Sequence, residues 1–401
     1  MCGSFASASE ALRELAEVTV PTKQVERRTQ GIGTERCVER DAAAAAYLAL
    51  PLVERKGTPA GVASPAVAVV EMDGGRLQIF DRSKASDTTV SRKAKGTHWR
   101  EDKVGLLASM ASECRDADPC PTLPKHFLDK SKIVQLVKEI KAKADANVAE
   151  APSSDIAVSP SDIGVSPAEY EPPELVTRSV VATKHDAHRF GELLASAAWQ
   201  RGFYGSSRRA FVGDGSSANW GVWERHFSNF TPIVDFIHAL TYVYQGTMAS
   251  GSFAEGWSRF ALGLSSLWSG DVEAVIAMLE RQQSALGEPE QSDGPTSPRT
   301  KLAEAVGYFR NQKGRMRYAE YRTAGLPITS AHVESTIKQM NRRVKGTEKF
   351  WSEPGSEAIL QLRADALSET QPLDEFWTRR AGQVTGERRQ TERNPEKTLS
   401  A

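Results

Sequence analysis

Residues 209–238 read RAFVGDGSSANWGVWERHFSNFTPIVDFIH. The apolar start of this stretch ends at Asp214, which stands between two glycines, a pattern typical of a buried strand that closes in a turn. A helix is predicted over residues 218–227, and a second buried strand over residues 231–236. Strands that alternate with helices predict an α/β fold, in which a mixed or parallel sheet carries helices on its faces.

A second β-rich region lies earlier, at residues 67–82 (VAVVEMDGGRLQIFDR). Its valine-rich first part leads to Asp73, which Gly74 and Gly75 follow. This composition predicts a hairpin of strand, glycine turn and strand, with Asp73 at the end of the first strand. A further strand is expected around residues 103–107.

The N-terminal region predicts two short helices, at residues 9–16 and 23–31, joined by a tight turn. Thr22 is the expected N-cap of the second helix. This arrangement is typical either of a helix-turn-helix that enters a DNA major groove or of a packed helical hairpin, and the sequence does not separate the two.

The rest of the chain is predominantly helical. Helices are expected at residues 184–199, 302–323 and 330–344 and within 239–279, where Trp257 and Trp268 have the spacing of core residues.

Three segments have the composition of loops or disordered chain. Residues 145–174 contain seven acidic residues, no Lys or Arg, and a direct repeat, SDIAVSP followed by SDIGVSP. Such acidic, proline-rich sequence predicts a flexible insertion, which we expect to extend over about 145–177. Residues 285–299 form a second loop rich in Pro, Gly and Ser, and the last twenty residues are expected to be disordered.

The overall composition excludes some classes of protein. Lys plus Arg and Asp plus Glu both number 51, so the net charge is zero and any nucleic-acid surface must be local. The four cysteines are irregularly placed, which favours a reducing compartment. The sequence has neither a signal peptide nor a run of about 18 apolar residues, so we expect a cytoplasmic, nucleoid-associated protein without a membrane partner.

Three acidic residues are candidates for metal-dependent chemistry. Asp73 and Asp214 follow predicted strands, and Glu334 lies in a late helix. Carboxylates that a sheet brings to one edge hold hard divalent cations. Each Asp-Gly pair alone is weak evidence, because this dipeptide at a strand end is usually only a turn.

The sequence resembles a known family over most of residues 5–370. Residues 209–238, the RMRY motif at 315–318, and residues 325–362 (GLPITSAHVESTIKQMNRRVKGTEKFWSEPGSEAILQL) closely resemble insertion-sequence transposases of the Kra group. These are similar to Mutator-like transposases, whose RNase H-like catalytic core carries an Asp-Asp-Glu triad. The run GLPITSAHVESTIKQMNRRVKGTEKFW is the most specific part of the likeness.

The resemblance implies roles for five residues. Asp73, Asp214 and Glu334 correspond to the catalytic triad and its metal ligands, with Mg²⁺ as the expected cofactor and Mn²⁺ as a workable substitute. Asp235 and His238 match the Asp-x-x-His signature of the family and are expected to support the second aspartate or to contact DNA. A buried structural role for His238 is the alternative.

The resemblance also implies a domain organisation. A helical DNA-binding-like segment (1–62) precedes the first part of an RNase H-like core (63–240), a helical insertion (241–322), the C-terminal part of the core (323–370) and a tail (371–401).

A local excess of basic residues follows the helical insertion. Residues 301–349 contain eleven Lys or Arg and four Glu. Helical spacing places Lys338 and Asn341 on the face of Glu334, and the expected DNA-binding set consists of Lys338, Asn341, Arg342, Arg343 and Lys345. The alternative is an ordinary solvated surface.

These observations favour a transposase that binds terminal inverted repeats and target DNA, acts as a homo-oligomer, and cleaves and joins DNA strands. Two alternatives stay open. One is a plain nuclease of RNase H-like fold. The other is an inactive, N-terminally truncated remnant that only binds DNA, since family members usually carry a longer region before the first helices.

Overall fold

The computed structural model describes residues 4–80, 97–146, 171–345 and 349–383. The N-terminal half contains α1 (Phe5–Ala16), α2 (Thr22–Ala49), α3 (Leu52–Arg55), β1 (Val67–Phe80), β2 (Thr97–Ala111), α4 (Lys130–Ala146), β3 (Glu174–Thr183) and α5 (Ala187–Gln200). There follow β4 (Arg208–Gly213), α6 (Ser217–His226), β5 (Thr231–Val234), α7 (Phe236–Thr247), α8 (Phe253–Trp268), α9 (Val272–Leu286), α10 (Pro298–Gln312), α11 (Tyr318–Thr323), α12 (Ala331–Val344), β6 (Phe350–Trp351), α13 (Glu353–Leu367) and α14 (Pro372–Gln383).

Within the described residues one mixed sheet organises the molecule. Its strand order is β3-β2-β1-β4-β5, and the short β6 pairs with β1. Strands β1, β2 and β3 are antiparallel neighbours, whereas β4, β5 and β6 run parallel to their partners. Helices cover the sheet, so the expected α/β class, with a mixed sheet flanked by helices, is confirmed.

The predicted glycine turn after Asp73 is wrong. Strand β1 continues through this point, and Gly74 and Gly75 pair with Lys103 and Asp102 of β2. Gly75 is needed for close packing, because a Cβ atom there would lie 2.9 Å from Oδ2 of Asp102. Asp73 therefore lies inside a long strand and not at its end.

The edge strand β3 was not predicted. The predicted acidic insertion, at about 145–177, included the first residues of β3. The strand begins at Glu174, next to the prolines and acids of the insertion, and its β-branched residues follow only after that point. The insertion's repeat lies in residues 147–170, outside the described residues, as do the last eighteen residues of the predicted tail.

Helix α2 is much longer than predicted, and Pro21, not Thr22, is its N-cap. It packs against α13, where a Cβ atom on Gly33 would lie 2.4 Å from the carbonyl oxygen of Ala358. Arg36 also bonds Asp365, with 2.9 Å from Nε to Oδ2. Alanine is the strongest helix former, so the alanine run at 42–46 favours a helix well beyond the predicted end at residue 31.

The helical region between β5 and α12 follows the prediction in outline. Trp257 and Trp268 are buried, as expected. The predicted helix at 302–323 is instead broken into α10, a 3₁₀ turn at Lys313–Arg315 and α11. No helix within the described residues has both the length and the apolar character needed to cross a lipid bilayer.

Candidate carboxylate site

Parallel pairing brings three aspartates to one level of the sheet. Glu71 of β1 pairs with Val212 of β4, so Asp73 and Asp214 lie two positions further along neighbouring strands. Gly213 pairs with Val234 of β5, which places Asp235 one position beyond β5 beside Asp214. Asp214 and Asp235 thus follow the carboxyl ends of the parallel strands β4 and β5, and Asp73 lies at the same level within the longer strand β1.

Asp214 is held by the turn that begins α6. Its Oδ1 accepts hydrogen bonds from the backbone N–H of Ser216 at 2.8 Å and from Nδ2 of Asn219 at 2.9 Å. Its carbonyl oxygen accepts a bond from the Tyr308 hydroxyl at 3.0 Å, which ties the turn to α10. Gly215 has a φ of 100° and lies against the Tyr308 ring, so a larger residue would not fit there.

Asp73 is partly buried beside the other acids. Burial, followed by the negative charge of Asp214, raises the pKa of Asp73 to about 6, and the charge of Glu334 adds to this effect. The N–H of Gly74, which donates to Oδ1 of Asp73 at 2.7 Å, and the charge of His238 oppose it. Asp214 and Glu334 are therefore both close enough to Asp73 for their negative charges to act on it.

Glu334 enters the site from the first turn of α12 and is buried. Two contacts anchor this turn to the sheet. The backbone N–H of Val333 donates to Oε2 of Glu71 at 2.8 Å, and that of Ser330 donates to Oδ2 of Asp235 at 2.5 Å.

Asp235 caps α7 and faces His238. Its Oδ1 accepts the backbone N–H groups of Ile237 at 2.6 Å and His238 at 3.1 Å, and its Oδ2 is bonded to the N–H and the hydroxyl of Ser330. Despite its burial, these bonds and the charge of His238 hold the pKa of Asp235 below its ordinary value.

The acids around His238 favour its protonated form. Although burial disfavours its charge, Asp235 and then the charges of Asp214 and Glu334 raise its pKa to about 9. Its Nδ1 lies 3.7 Å from Oδ1 of Asp235, so the pair is an ion pair rather than a hydrogen bond.

One close group of possible metal ligands includes only Glu334 of the predicted triad. Among the described residues, Asp235, His238 and Glu334 offer ligand atoms that all lie within 4.8 Å of one another. We consider this group a poor metal site, because both oxygens of Asp235 already accept hydrogen bonds.

The donor chemistry of the predicted triad fits a hard cation better. Asp73, Asp214 and Glu334 supply carboxylate oxygens alone, the ligands that Mg²⁺ and Mn²⁺ prefer. Burial and the charges of Asp214 and Glu334 disfavour an ionised Asp73, and a bound cation would offset this cost.

No protein-family model matches the sequence, and the comparison with curated proteins finds no match. The assignment of roles to these residues therefore depends on the geometry and on the sequence motifs.

Sequence reasoning missed two buried acids beside the triad. Glu71 and Asp102 are fully buried, and they lie on the same face of the sheet as Asp73, since Glu71 precedes it by two residues and Asp102 pairs with Gly75. Burial raises the pKa of Glu71 to about 8 and that of Asp102 to about 7. For Glu71 the available signal was an acid inside an apolar run, whereas Asp102 lies among charged residues and gave no such signal.

The expected DNA-binding residues divide into two groups. Lys338 is partly exposed and Arg342 is exposed, so both can meet phosphate groups. The guanidinium of Arg343 instead packs over Phe5, at 4.7 Å from the ring centroid, and over Trp351, at 5.2 Å.

The other two residues, Lys345 and Asn341, are directed toward the interior or toward neighbouring side chains of the protein. Lys345 lies over the ring of Trp99 at 5.8 Å. Oδ1 of Asn341 is buried without a hydrogen-bond partner among the described residues.

Proposed function

We propose that this chain is a DNA transposase in which Asp73, Asp214 and Glu334 act together in metal-dependent strand cleavage and strand transfer. The observation that carries the proposal is the alignment of Asp73 and Asp214 on neighbouring parallel strands, with Glu334 coupled to Asp73 electrostatically. The motif-level resemblance to Kra-group transposases supports the same three residues, and the mixed sheet is compatible with the RNase H-like core that this resemblance implies.

The proposed chemistry follows from what phosphodiester transfer requires. Divalent cations at the three carboxylates supply charge stabilisation for the attacking and leaving oxygens. The protein holds the carboxylates in place. Asn219 and the N–H of Ser216 orient Asp214, and the anchored first turn of α12 presents Glu334.

The two supporting residues have a structural role in this proposal. Asp235 joins α7 to the loop before α12, and His238 adds a positive charge among the acids. Neither is proposed as a metal ligand. The DNA backbone is expected beside α12, where Lys338 and Arg342 are accessible.

The test uses the purified full chain with DNA that carries the ends of its own element. With Mg²⁺ or Mn²⁺, we expect cleavage at the ends and joined products, and both are lost in Glu334→Gln. Nicked DNA without joined products would indicate a nuclease with the same core instead of a transposase. A mobility shift without any cleavage in either metal would overturn the catalytic proposal and leave a DNA-binding protein.

A further inference from the structure

Helix α12 begins without a side-chain cap of its own. Ser330 occupies the N-cap position, but its side chain makes no cap hydrogen bond and its hydroxyl is bonded to Asp235 instead. The first N–H groups of a helix have no partner within the helix, so a buried helix start needs acceptors from elsewhere. At α12 these acceptors must come from the sheet.

Glu71 provides one of them. Its Oε2 accepts the backbone N–H of Val333 at 2.8 Å, across 262 positions of the chain. Val333 is the third residue of α12, so Glu71 makes the bond that an N-cap Ser or Asp usually makes with a first-turn N–H. A side chain of β1 thus caps the start of α12.

The position of Glu71 connects this cap to the candidate site. Glu71 and Asp73 are two residues apart on the same strand and therefore project from the same face of the sheet. Val333 and Glu334 are adjacent in the same helical turn. One strand segment therefore holds an aspartate of the triad and also sets the position of its glutamate.

The burial of Glu71 argues that its carboxyl group serves this purpose. The side chain is fully buried in a strand whose neighbours are valines and Met72. Burying a polar group costs free energy unless the group is hydrogen-bonded, and an apolar residue at this position would avoid that cost. Its Oε1 has no hydrogen-bond partner among the described residues, so the bond to Val333 is its principal compensation.

We propose that Glu71 is a positioning residue that fixes the first turn of α12 on β1 and thereby holds Glu334 at the correct distance from Asp73. The role in metal binding rests on the proposed function, whereas the anchoring of α12 does not. Outer residues that orient metal ligands typically change metal affinity or activity by about 10–100-fold when they are lost.

The test compares three variants of the full chain. Glu71→Leu removes the acceptor, Glu71→Asp shortens it by one methylene, and Glu71→Gln keeps an acceptor oxygen at the same reach. Two quantities are measured: amide hydrogen exchange over residues 331–337, and Mn²⁺ affinity by electron paramagnetic resonance.

Glu357 offers a matched control. It is another buried glutamate that joins a helix to the sheet, since its Oε1 accepts the Thr183 hydroxyl at 2.6 Å and its Oε2 accepts the N–H of Lys184 at 3.0 Å. It belongs to α13, not α12. Glu357→Gln should leave both the exchange of residues 331–337 and the Mn²⁺ affinity unchanged.

We expect faster exchange at the start of α12 and at least about 10-fold weaker Mn²⁺ binding in the Leu and Asp variants, with near-complete rescue in the Gln variant. If Glu71→Leu does not fold, Glu71→Asp decides the result. Wild-type exchange and affinity in the Leu or Asp variant would overturn the proposal. If the wild-type chain binds no Mn²⁺, the proposed function fails, and the exchange data still decide whether Glu71 anchors α12.

Discussion

Asp235 and Ser330 lie 95 positions apart, yet Oδ2 of Asp235 accepts both the backbone N–H and the hydroxyl of Ser330. The other carboxylate oxygen caps α7. One buried aspartate thus joins the end of β5, the start of α7 and the loop that leads into α12. Because both of its oxygens already accept hydrogen bonds, this carboxylate supports the neighbouring acids structurally and is not proposed as a metal ligand.

Replacing Asp235 with Ala should destabilise the protein strongly. The change leaves the N–H of Ser330 and the His238 cation without their acceptor in a buried environment, and losing one partner of a buried charged pair costs about 3–5 kcal/mol. Urea unfolding measures this loss in the free energy of unfolding. Asp271→Ala is the control, because the exposed Asp271 only caps α9 and its loss should cost about 1 kcal/mol.

The His238 charge should make stability depend on pH in the metal-free protein. The pKa rises from about 6.5 in the unfolded chain to about 9 in the folded chain. The folded state therefore binds more protons, so the stabilisation is complete below about pH 6.5 and is lost as the pH rises through about 9. Glu71 and Asp73, whose pKa values are also raised, add to the fall in the same direction.

The variant His238→Gln isolates this contribution. We expect it to be less stable than the wild type by up to about 3 kcal/mol near pH 6, with the difference closing toward pH 10. The measurement is the free energy of urea unfolding at each pH in the presence of a chelator. A difference that stays constant with pH would mean that His238 is not a folded-state cation.

Asp214→Asn should abolish most activity and preserve the fold. The Asn side chain keeps an acceptor oxygen for Ser216 and Asn219 but loses the negative charge. Under the proposed function, cleavage of element-end DNA should fall by on the order of 10²–10³-fold, the scale for loss of one preorganised electrostatic group. The control Asp186→Asn alters an exposed acid that caps α5 and should retain full activity.

Lys338→Ala should weaken DNA binding without regard to sequence. If Lys338 neutralises one phosphate, the slope of log affinity against log salt concentration should become less steep by about 1. Fluorescence anisotropy at several salt concentrations measures the slope. The control is Arg281→Ala, which alters an exposed residue of α9. Equal slopes for Lys338→Ala and the wild type would mean that the DNA does not contact Lys338.

Two glycines of α2 allow a test of its packing. A Cβ atom on Gly33 would lie 2.4 Å from the Ala358 carbonyl oxygen, whereas one on Gly31 would have no neighbour within 4 Å. Gly33→Ala should therefore cost about 1–3 kcal/mol through overpacking. Gly31→Ala should instead stabilise the helix by about 0.5–1 kcal/mol. The melting temperatures of the two variants should therefore shift in opposite directions, which thermal unfolding measures.

Local sequence predicted the β4–α6–β5 unit well because its strands are short, apolar and clearly bounded. It also singled out Asp214 at the end of β4, whereas Asp235 was placed inside the predicted strand 231–236 and was singled out only by the family resemblance. The continuity of β1 could not be predicted, since it depends on the fit of Gly75 against Asp102, a residue of another strand. A local sequence pattern cannot distinguish a glycine in a turn from a glycine within a strand that leaves room for the side chain of a neighbouring strand.

Buried acids escaped prediction for a related reason. Glu71 looks solvent-facing in the sequence because charged residues are seldom fully buried without a partner. Its partner is a backbone N–H of Val333, which no sequence motif reveals.

The bond between Glu71 and Val333 also determines when the candidate site can exist during synthesis. Its two ends are 262 positions apart, so the first aspartate leaves the ribosome long before the helix that carries the third acid. Contacts of such long range form late, after a large loop has closed. A nascent or prematurely terminated chain that lacks α12 consequently lacks the complete set of carboxylates.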